Sequence, residues 1–194
     1  PNPAITLTVN TTIDQNDGSA TNGLSLRDAI LIANSDTANK YIINLTGGAT
    51  YKLTAFSLTD TLGSDLDVLG NVTIQSTGTE PATIDASGLT NPDRVFEVSN
   101  YLNLDNIVIT GGSTTAVGGG IYIKQNATAS LFNTTVKNNS AGGGGGIFND
   151  GLMVLLNSTV ADNKAIGSGS VGGGIWNYRQ AILLGTTIKN NSAS

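Results

Sequence analysis

At 194 residues, with 25 glycines and 39% apolar residues but only 12% charged and 5% aromatic ones, the chain has the size of one domain with a buried core and is too apolar for a disordered segment. Cysteine and histidine are both absent, which excludes a disulfide framework, thiolate zinc sites, thiol nucleophiles and the usual neutral-pH acid/base. The net charge of −5 divides into −8 over residues 1–105 (12 acids, 4 bases) and +3 over residues 106–194 (2 acids, 5 bases); five scattered cations make no nucleic-acid stripe, and no stretch reaches the roughly 18 uninterrupted apolar residues of a membrane span.

The chain opens at Pro1 without methionine or a signal peptide, which reads as a processed or trimmed start. Asp14, Asn16 and Asp17 before Gly18 are similar to a calcium loop, but the spacing is one residue short of the EF-hand pattern and no glutamate closes it. A polar turn is the preferred reading, and calcium is the one cofactor left open. In GLSLRDAILIANS, Ser25 and Asp28 form a capping-box signature, and Leu26, Ala29, Ile30 and Ala33 share one face. The spacing predicts a helix from Leu26 to Asn34, within an N-terminal cap of residues 1–40 that covers the open end of a strand array beginning near residue 41. Arg27 points off the apolar face, toward a nearby acid.

Tyr41-Ile42-Ile43 and Tyr51-Lys52-Leu53 read as strands of the first coil, and NVTIQSTGTEPATIDASG and RVFEVSNYLNLDNIVITGG as less regular coils. Then one unit recurs: GGGIYIKQNATASLFNTTVKNNSA from Gly118, GGGIFNDGLMVLLNSTVADNKA from Gly144, GGGIWNYRQAILLGTTIKNNSA from Gly172. In register, one column reads Leu69, Leu104, Leu131, Leu155, Leu183; another Asn71, Asn106, Asn133, Asn157, Gly185; a third Ile74, Ile109, Val136, Val160, Ile188. The first spacing in these columns is 35 residues against 24 to 28 later, which predicts an inserted loop around Ser87 to Asp93. Period-two alternation makes the segments strands, about three per repeat, and strands that cannot close a core within one repeat must stack on the next. The expected fold is an all-β, single-stranded right-handed parallel β-helix, occupying residues 41–194 beyond the cap. Thr73, Thr135, Thr159 and Thr187 then face outward, and the asparagine column marks a corner, as does a second one at Asn139, Asn163 and Asn191. The glycines before each GGI permit tight corners and close coil contact, in loops expected to be mobile. Eight N-x-S/T sequons, at Asn10, Asn44, Asn71, Asn126, Asn133, Asn138, Asn157 and Asn190, arise from the same repetition. The last residues, IKNNSAS, stop where earlier repeats begin another GGGI, and read as a cut through a longer array of coils.

LSLRDAIL resembles the CSLREA-type motif of many bacterial secreted and surface β-helix proteins, with Leu24 in place of cysteine and Asp28 in place of glutamate; DGSATNG, ANS, VTIQ and RVF keep that family's order. The GGI elements, together with Val136 to Asn139, Val160 to Asn163 and Ile188 to Asn191, are similar to the repeats of chlamydial polymorphic outer-membrane proteins, with valine or isoleucine where those have phenylalanine. The resemblance implies an exported protein, extracellular or on a bacterial cell surface and adhesin-like.

Tyr122, Phe148 and Trp176 hold one register position after each GGI, and alternation sends them outward as a ladder of rings. Such a ladder either stabilises the sheet or offers contact area to a glycan or a surface protein of a host or neighbouring cell. With Arg179 beside Trp176, these four residues are the candidate ligand-binding set. Lys124 and Asp150, two places further on, are expected to pair. An enzyme on this scaffold, a polysaccharide lyase or epimerase, needs clustered carboxylates. After Asp105 only Asp150 and Asp162 remain, at different places in their repeats; the earlier acids Asp85, Asp93, Glu97 and Asp105 are closer in sequence, and Asp85 with Arg94 is the least unsuitable catalytic pair. No residue is assigned a catalytic or metal-ligating role, and the expected function is a non-catalytic spacer or binding face.

Overall fold

The computed structural model describes residues 3–54 and 64–194; residues 1–2, with the start at Pro1, and residues 55–63 of the early coils lie outside the described residues. Every paired strand is parallel to its neighbour, and each neighbour comes from the coil before or after it. Face A stacks Ile5–Thr8, Lys40–Thr46, Asn71–Thr77, Tyr101–Asp105, Thr128–Phe132, Leu152–Leu156 and Gln180–Leu184. Face B stacks Leu66–Val68, Phe96–Val98, Ile121–Ile123, Ile147–Asn149 and Ile175–Asn177, and face C runs from Thr50–Lys52 to Thr187–Lys189. Ser140–Ala141, Lys164–Ala165 and Ser192–Ala193 add a short fourth sheet after face C. The chain is thus a parallel β-helix, each coil crossing faces B, A and C in turn.

Alternation within each strand turns every second residue inward, two on most strands, and the stack places like on like. Face A aligns Ile74, Leu104, Leu131, Leu155 and Leu183; face B aligns Leu66, Phe96, Ile121, Ile147 and Ile175; face C aligns Ile84, Ile109, Val136, Val160 and Ile188. Except in the last coil these side chains are buried, each contributing about 1.5–3 kcal/mol.

The register of the early coils differs from the expected columns. Leu69 lies exposed in the turn between Leu66–Val68 and Asn71–Thr77, and Ile74 takes its place above Leu104. Asn71 starts a strand opposite Tyr101 rather than turning a corner, and Thr73 faces outward on face A, opposite Asn103, apart from Thr135, Thr159 and Thr187 on face C. The segment between faces C and B is ten residues long both at 86–95 and at 111–120, so nothing is inserted near Ser87 to Asp93. The extra length sits in the turn Gly78 to Pro81, where the later coils pass from face A to face C through one to two residues around a left-handed Asn or Gly.

Both expected corners are present, with different mechanics. At the first, Asn106, Asn133, Asn157 and Gly185 have φ of 57°, 49°, 49° and 61°, the left-handed region that asparagine and glycine tolerate best. At the second, the left-handed residues are Asn138, Asp162 and Asn190, which frees the next side chain to turn inward. Asn139 Nδ2 donates to Asn163 Oδ1 at 3.0 Å and Asn163 Nδ2 to Asn191 Oδ1 at 3.0 Å, while the same oxygens accept from the Asn139 and Asn163 backbone N–H. Five of the eight sequons place their asparagine at a positive φ (Asn126, Asn133, Asn138, Asn157, Asn190), which is why they recur.

Gly118, Gly143 and Gly144 are buried, Gly142 and Gly172 half-buried, and the backbones before the GGI elements bond coil to coil, as in Gly118 N to Gly143 O and Gly144 N to Val171 O, both 3.0 Å. They form a stacked corner, because a backbone without side chains approaches the next coil closely enough to pair with it, while in the third loop residues 166–169 stand exposed.

The helix runs Leu26–Ser35, with Ser25 and Asp28 completing the capping box and Leu26, Ala29, Ile30 and Ala33 buried. Its polar side chains satisfy the open edge of face B. Arg27 donates from Nη1 to Asp65 O at 2.9 Å and from Nη2 to Ser64 O at 3.0 Å; Asn34 donates to Asp67 O at 2.7 Å and accepts from Leu69 N at 2.9 Å. The helix thereby stands in for a missing strand, which removes an edge that would otherwise pair with another chain.

Candidate functional site

Face B carries the three rings outward in the expected register, Tyr122 beside Phe148 and Phe148 beside Trp176. The rings are not stacked flat. Tyr122 and Phe148 lie with centroids 5.4 Å apart and planes at 60°, Phe148 and Trp176 at 4.9 Å and 75°, so each ring turns an edge toward its neighbour's face. The Arg94 guanidinium sits 5.4 Å from the Tyr122 centroid, and the Trp176 ring packs on Gly143, where a side chain would collide with it. The ladder is half-buried and braced at both ends, which gives it a share in holding the coils together.

Below the rings the same column continues as Glu97 and Asp67. Glu97 accepts from Arg94 Nη1 at 2.8 Å and pairs with Lys124, which raises the pKa of that lysine. The expected Lys124–Asp150 pair is therefore not formed. Lys124 reaches back one coil to Glu97, and Asp150 Oδ1 accepts from Arg179 Nε of the following coil at 2.9 Å. Arg179 is 45% exposed at its side chain, and Tyr178 beside it is 68% exposed, the openly accessible ring of this region.

Between faces B and A lies a groove of about 230 Å³ floored by Gly151 and walled by Gln125, Asn126, Asp150, Arg179 and Gln180. It arises from turn length. The Tyr122 coil passes from face B to face A through four residues, 124–127, whereas the next two coils use two, 150–151 and 178–179. Gln125 and Asn126, the latter at φ 68°, stand out above Gly151. Sequence reasoning missed this groove; the signal was the 27-residue repeat followed by one of 24.

Asp85 and Arg94, the least unsuitable pair for a catalytic reading, are not brought together. Asp85 Oδ1 accepts from Ser87 N at 2.8 Å, while Arg94 turns to Glu97 and, at 3.4 Å, to Asp65. Asp65 is the unforeseen acid. Its side chain is enclosed, Oδ1 has no hydrogen-bond partner, and burial, then the nearby Asp93 and Asp67 carboxylates, push its pKa up to about 8. The alternation Leu66, Val68 predicts an outward Asp65; it is instead enclosed, with Arg94 at 3.4 Å and Asp93, Asp67 and Glu97 nearby.

The Asp14 to Gly18 segment docks onto the helix start. Asp14 pairs with Arg27 at 3.0 Å and its Oδ2 accepts from Thr54 N at 2.7 Å; Asp17 N and Gly18 N donate to Asp28 Oδ1, and Asp17 Oδ1 accepts from Ser19 N. Among the described residues no group of three or more acidic side chains is gathered to hold a metal ion. Comparison with protein-family models, with curated proteins and with solved structures returned no match to this chain.

Proposed function

We propose that this chain is a non-catalytic β-helix domain of an exported, adhesin-like surface protein, a spacer that carries a glycan- or protein-binding face. The supporting observation is the division of labour within the repeat. The residues that recur, leucines, corner asparagines and glycines, are consumed by the core and by backbone pairing, whereas the position that varies from coil to coil, Tyr122, Phe148 and Trp176, faces outward beside Arg179 and Tyr178. Aromatic area with a guanidinium at its rim is the composition of a contact surface. The Tyr122→Ala/Trp176→Ala protein, checked for fold by circular dichroism, is expected to lose capture of glycans or of cell-surface protein by at least about tenfold. Unchanged capture would leave the spacer role alone.

The rival reading is a polysaccharide-active enzyme, and Asp65 favours it: a carboxyl with a raised pKa among Asp67, Asp93 and Glu97 has the make-up of a general acid. Its enclosed side chain counts against it, since no substrate oxygen reaches it as the coils stand. Incubation with acidic polysaccharides, with and without calcium, separates the readings: new reducing ends or unsaturated products, lost in Asp65→Asn, would establish the enzyme.

A further inference from the structure

We propose that the groove over Gly151 binds a neutral pyranose unit of a glycan, an inference that rests on the binding-face reading and names its ligand. The groove is one coil wide: its walls, the raised turn Gln125-Asn126 and the Arg179-Gln180 corner, belong to coils two strand spacings apart, about 9.6 Å. Gly151 lets the coils approach closely beneath it, because a Cβ there would collide with Ala127 O and lie 2.6 Å from Lys124 O, so the position between the walls carries no side chain.

The chemistry around the groove is balanced between donors and acceptors. Arg179 uses Nε on Asp150 Oδ1, so its terminal nitrogens and Asp150 Oδ2 remain for a ligand. The amides of Gln125, Asn126 and Gln180 line the same space, each offering a donor and an acceptor, with Thr128 on the floor. Tyr178, at the register place of Asp150 on the next coil and next in the chain to Arg179, is exposed and outside the lining, with its ring open to a longer ligand. A sugar hydroxyl both donates and accepts, so vicinal hydroxyls match amides and a carboxylate–guanidinium pair, while the C–H face of the ring matches a tyrosine.

Charge selects the class. One carboxylate and one guanidinium leave the groove neutral, and Lys124, the nearest further cation, is turned away to Glu97. A uronate carboxylate would meet Arg179 and Asp150 together and gain little net attraction from the pair, whereas the hydroxyls of a neutral hexose can use both partners and the amides around them.

The test is titration of the 194-residue chain with cellotetraose, maltotetraose and mannotetraose as neutral probes and tetragalacturonate as the acidic one, followed by amide NMR shifts and calorimetry. At least one neutral probe is expected to bind with a Kd at or below about 1 mM and to shift Thr128, Gly151 and Gln180. Arg179→Ala and Gln125→Ala/Gln180→Ala, which alter exposed side chains, are expected to weaken it at least about tenfold. Tighter binding of tetragalacturonate, no neutral binding at about 10 mM, or binding indifferent to both variants overturns the proposal. If no oligosaccharide binds yet the Tyr122→Ala/Trp176→Ala protein loses cell-surface capture, the sugar assignment fails and the binding face stands; if capture is also unaffected, both fail.

Discussion

Asn163 shows how much one side chain of the inner corner carries. It is buried, its amide nitrogen donates to Val136 O and to Asn191 Oδ1, both at 3.0 Å, and its oxygen accepts from both the backbone and the side chain of Asn139. Asn163→Ala takes away the partner of the Asn139 backbone N–H and the donor to the Val136 carbonyl, while the Asn139 amide keeps Lys137 O and Ile109 O; at about 1–3 kcal/mol for each group left unpaired inside, a loss of about 2–4 kcal/mol is expected in urea unfolding. Asn139, Asn163 and Asn191 were readable as a structural column from spacing alone, because a residue type recurring at one corner signals one backbone demand. Asp65 was not readable, since the groups that surround its carboxyl, Asp93, Arg94 and Glu97 among them, lie about thirty residues away in the chain. With an ordinary value of 3.8 and a folded value of about 8, its carboxyl is protonated in the fold and ionised in the unfolded chain across that window. The native state then holds the extra proton, so stability falls as pH rises from about 4 to 8, by up to about 1.4 kcal/mol per unit, and levels off above. Asp65→Asn removes this dependence: the stability advantage of the variant is expected to widen over the window, as urea midpoints at each pH would report. A constant gap would mean that Asp65 is ionised in the fold, held by Arg94 against Asp67, Asp93 and Glu97.

At the scale of an element, the cap was legible in outline and its working was not. Ser25, Asp28 and the apolar stripe predicted the helix to within one residue of its observed end, and a partner acid for Arg27 was expected. What local sequence could not supply is that Asp14 and the carbonyls of Ser64 and Asp65, contributed by separate segments, converge on one buried guanidinium. The planar fork of arginine meets an acid and two carbonyls at once; lysine would keep the charge and lose the geometry. Arg27→Lys is expected to cost about 3–5 kcal/mol, to accelerate amide exchange in Leu66–Val68, and to produce oligomers on size-exclusion chromatography as the edge of face B becomes free. Wild-type exchange rates at Leu66–Val68 would show that the edge is closed without it. The strand Leu152–Leu156 is a second case of partial legibility. LMVLL lacks alternation, and the outer side of face A there aligns Phe132, Leu156 and Leu184, half to fully exposed, where the repeat logic led one to expect polar residues.

For the whole molecule, periodicity made the fold class legible while misplacing the early register. Laying the regular later repeats over the first coils took Leu69 for Ile74, because the seven-residue strand Asn71–Thr77 and the turn to Pro81 interrupt the later spacing. The corrected column of Ile74, Leu104, Leu131, Leu155 and Leu183 offers a direct measure of how the solenoid is held together. Each of these side chains meets principally the coils before and after it, so stability is expected to be a sum of coil terms and nearest-neighbour terms. Leu104, Leu131 and Leu155 are at most 1% exposed, and each Leu→Ala change should cost about 2–5 kcal/mol; Leu183, 39% exposed in this chain, should cost less than about half as much. Leu131 and Leu155 are register partners sharing one layer of contacts, so their double variant is expected to depart from additivity by at least about 0.5 kcal/mol. Leu104 and Leu155 are separated by a whole coil, about 9.6 Å, and should add within about 0.5 kcal/mol. Chemical unfolding of the four single and two double variants decides it: coupling that vanishes beyond the adjacent coil means that the core transmits strain one layer at a time, whereas equal coupling at both separations means that the coils unfold as one globular unit.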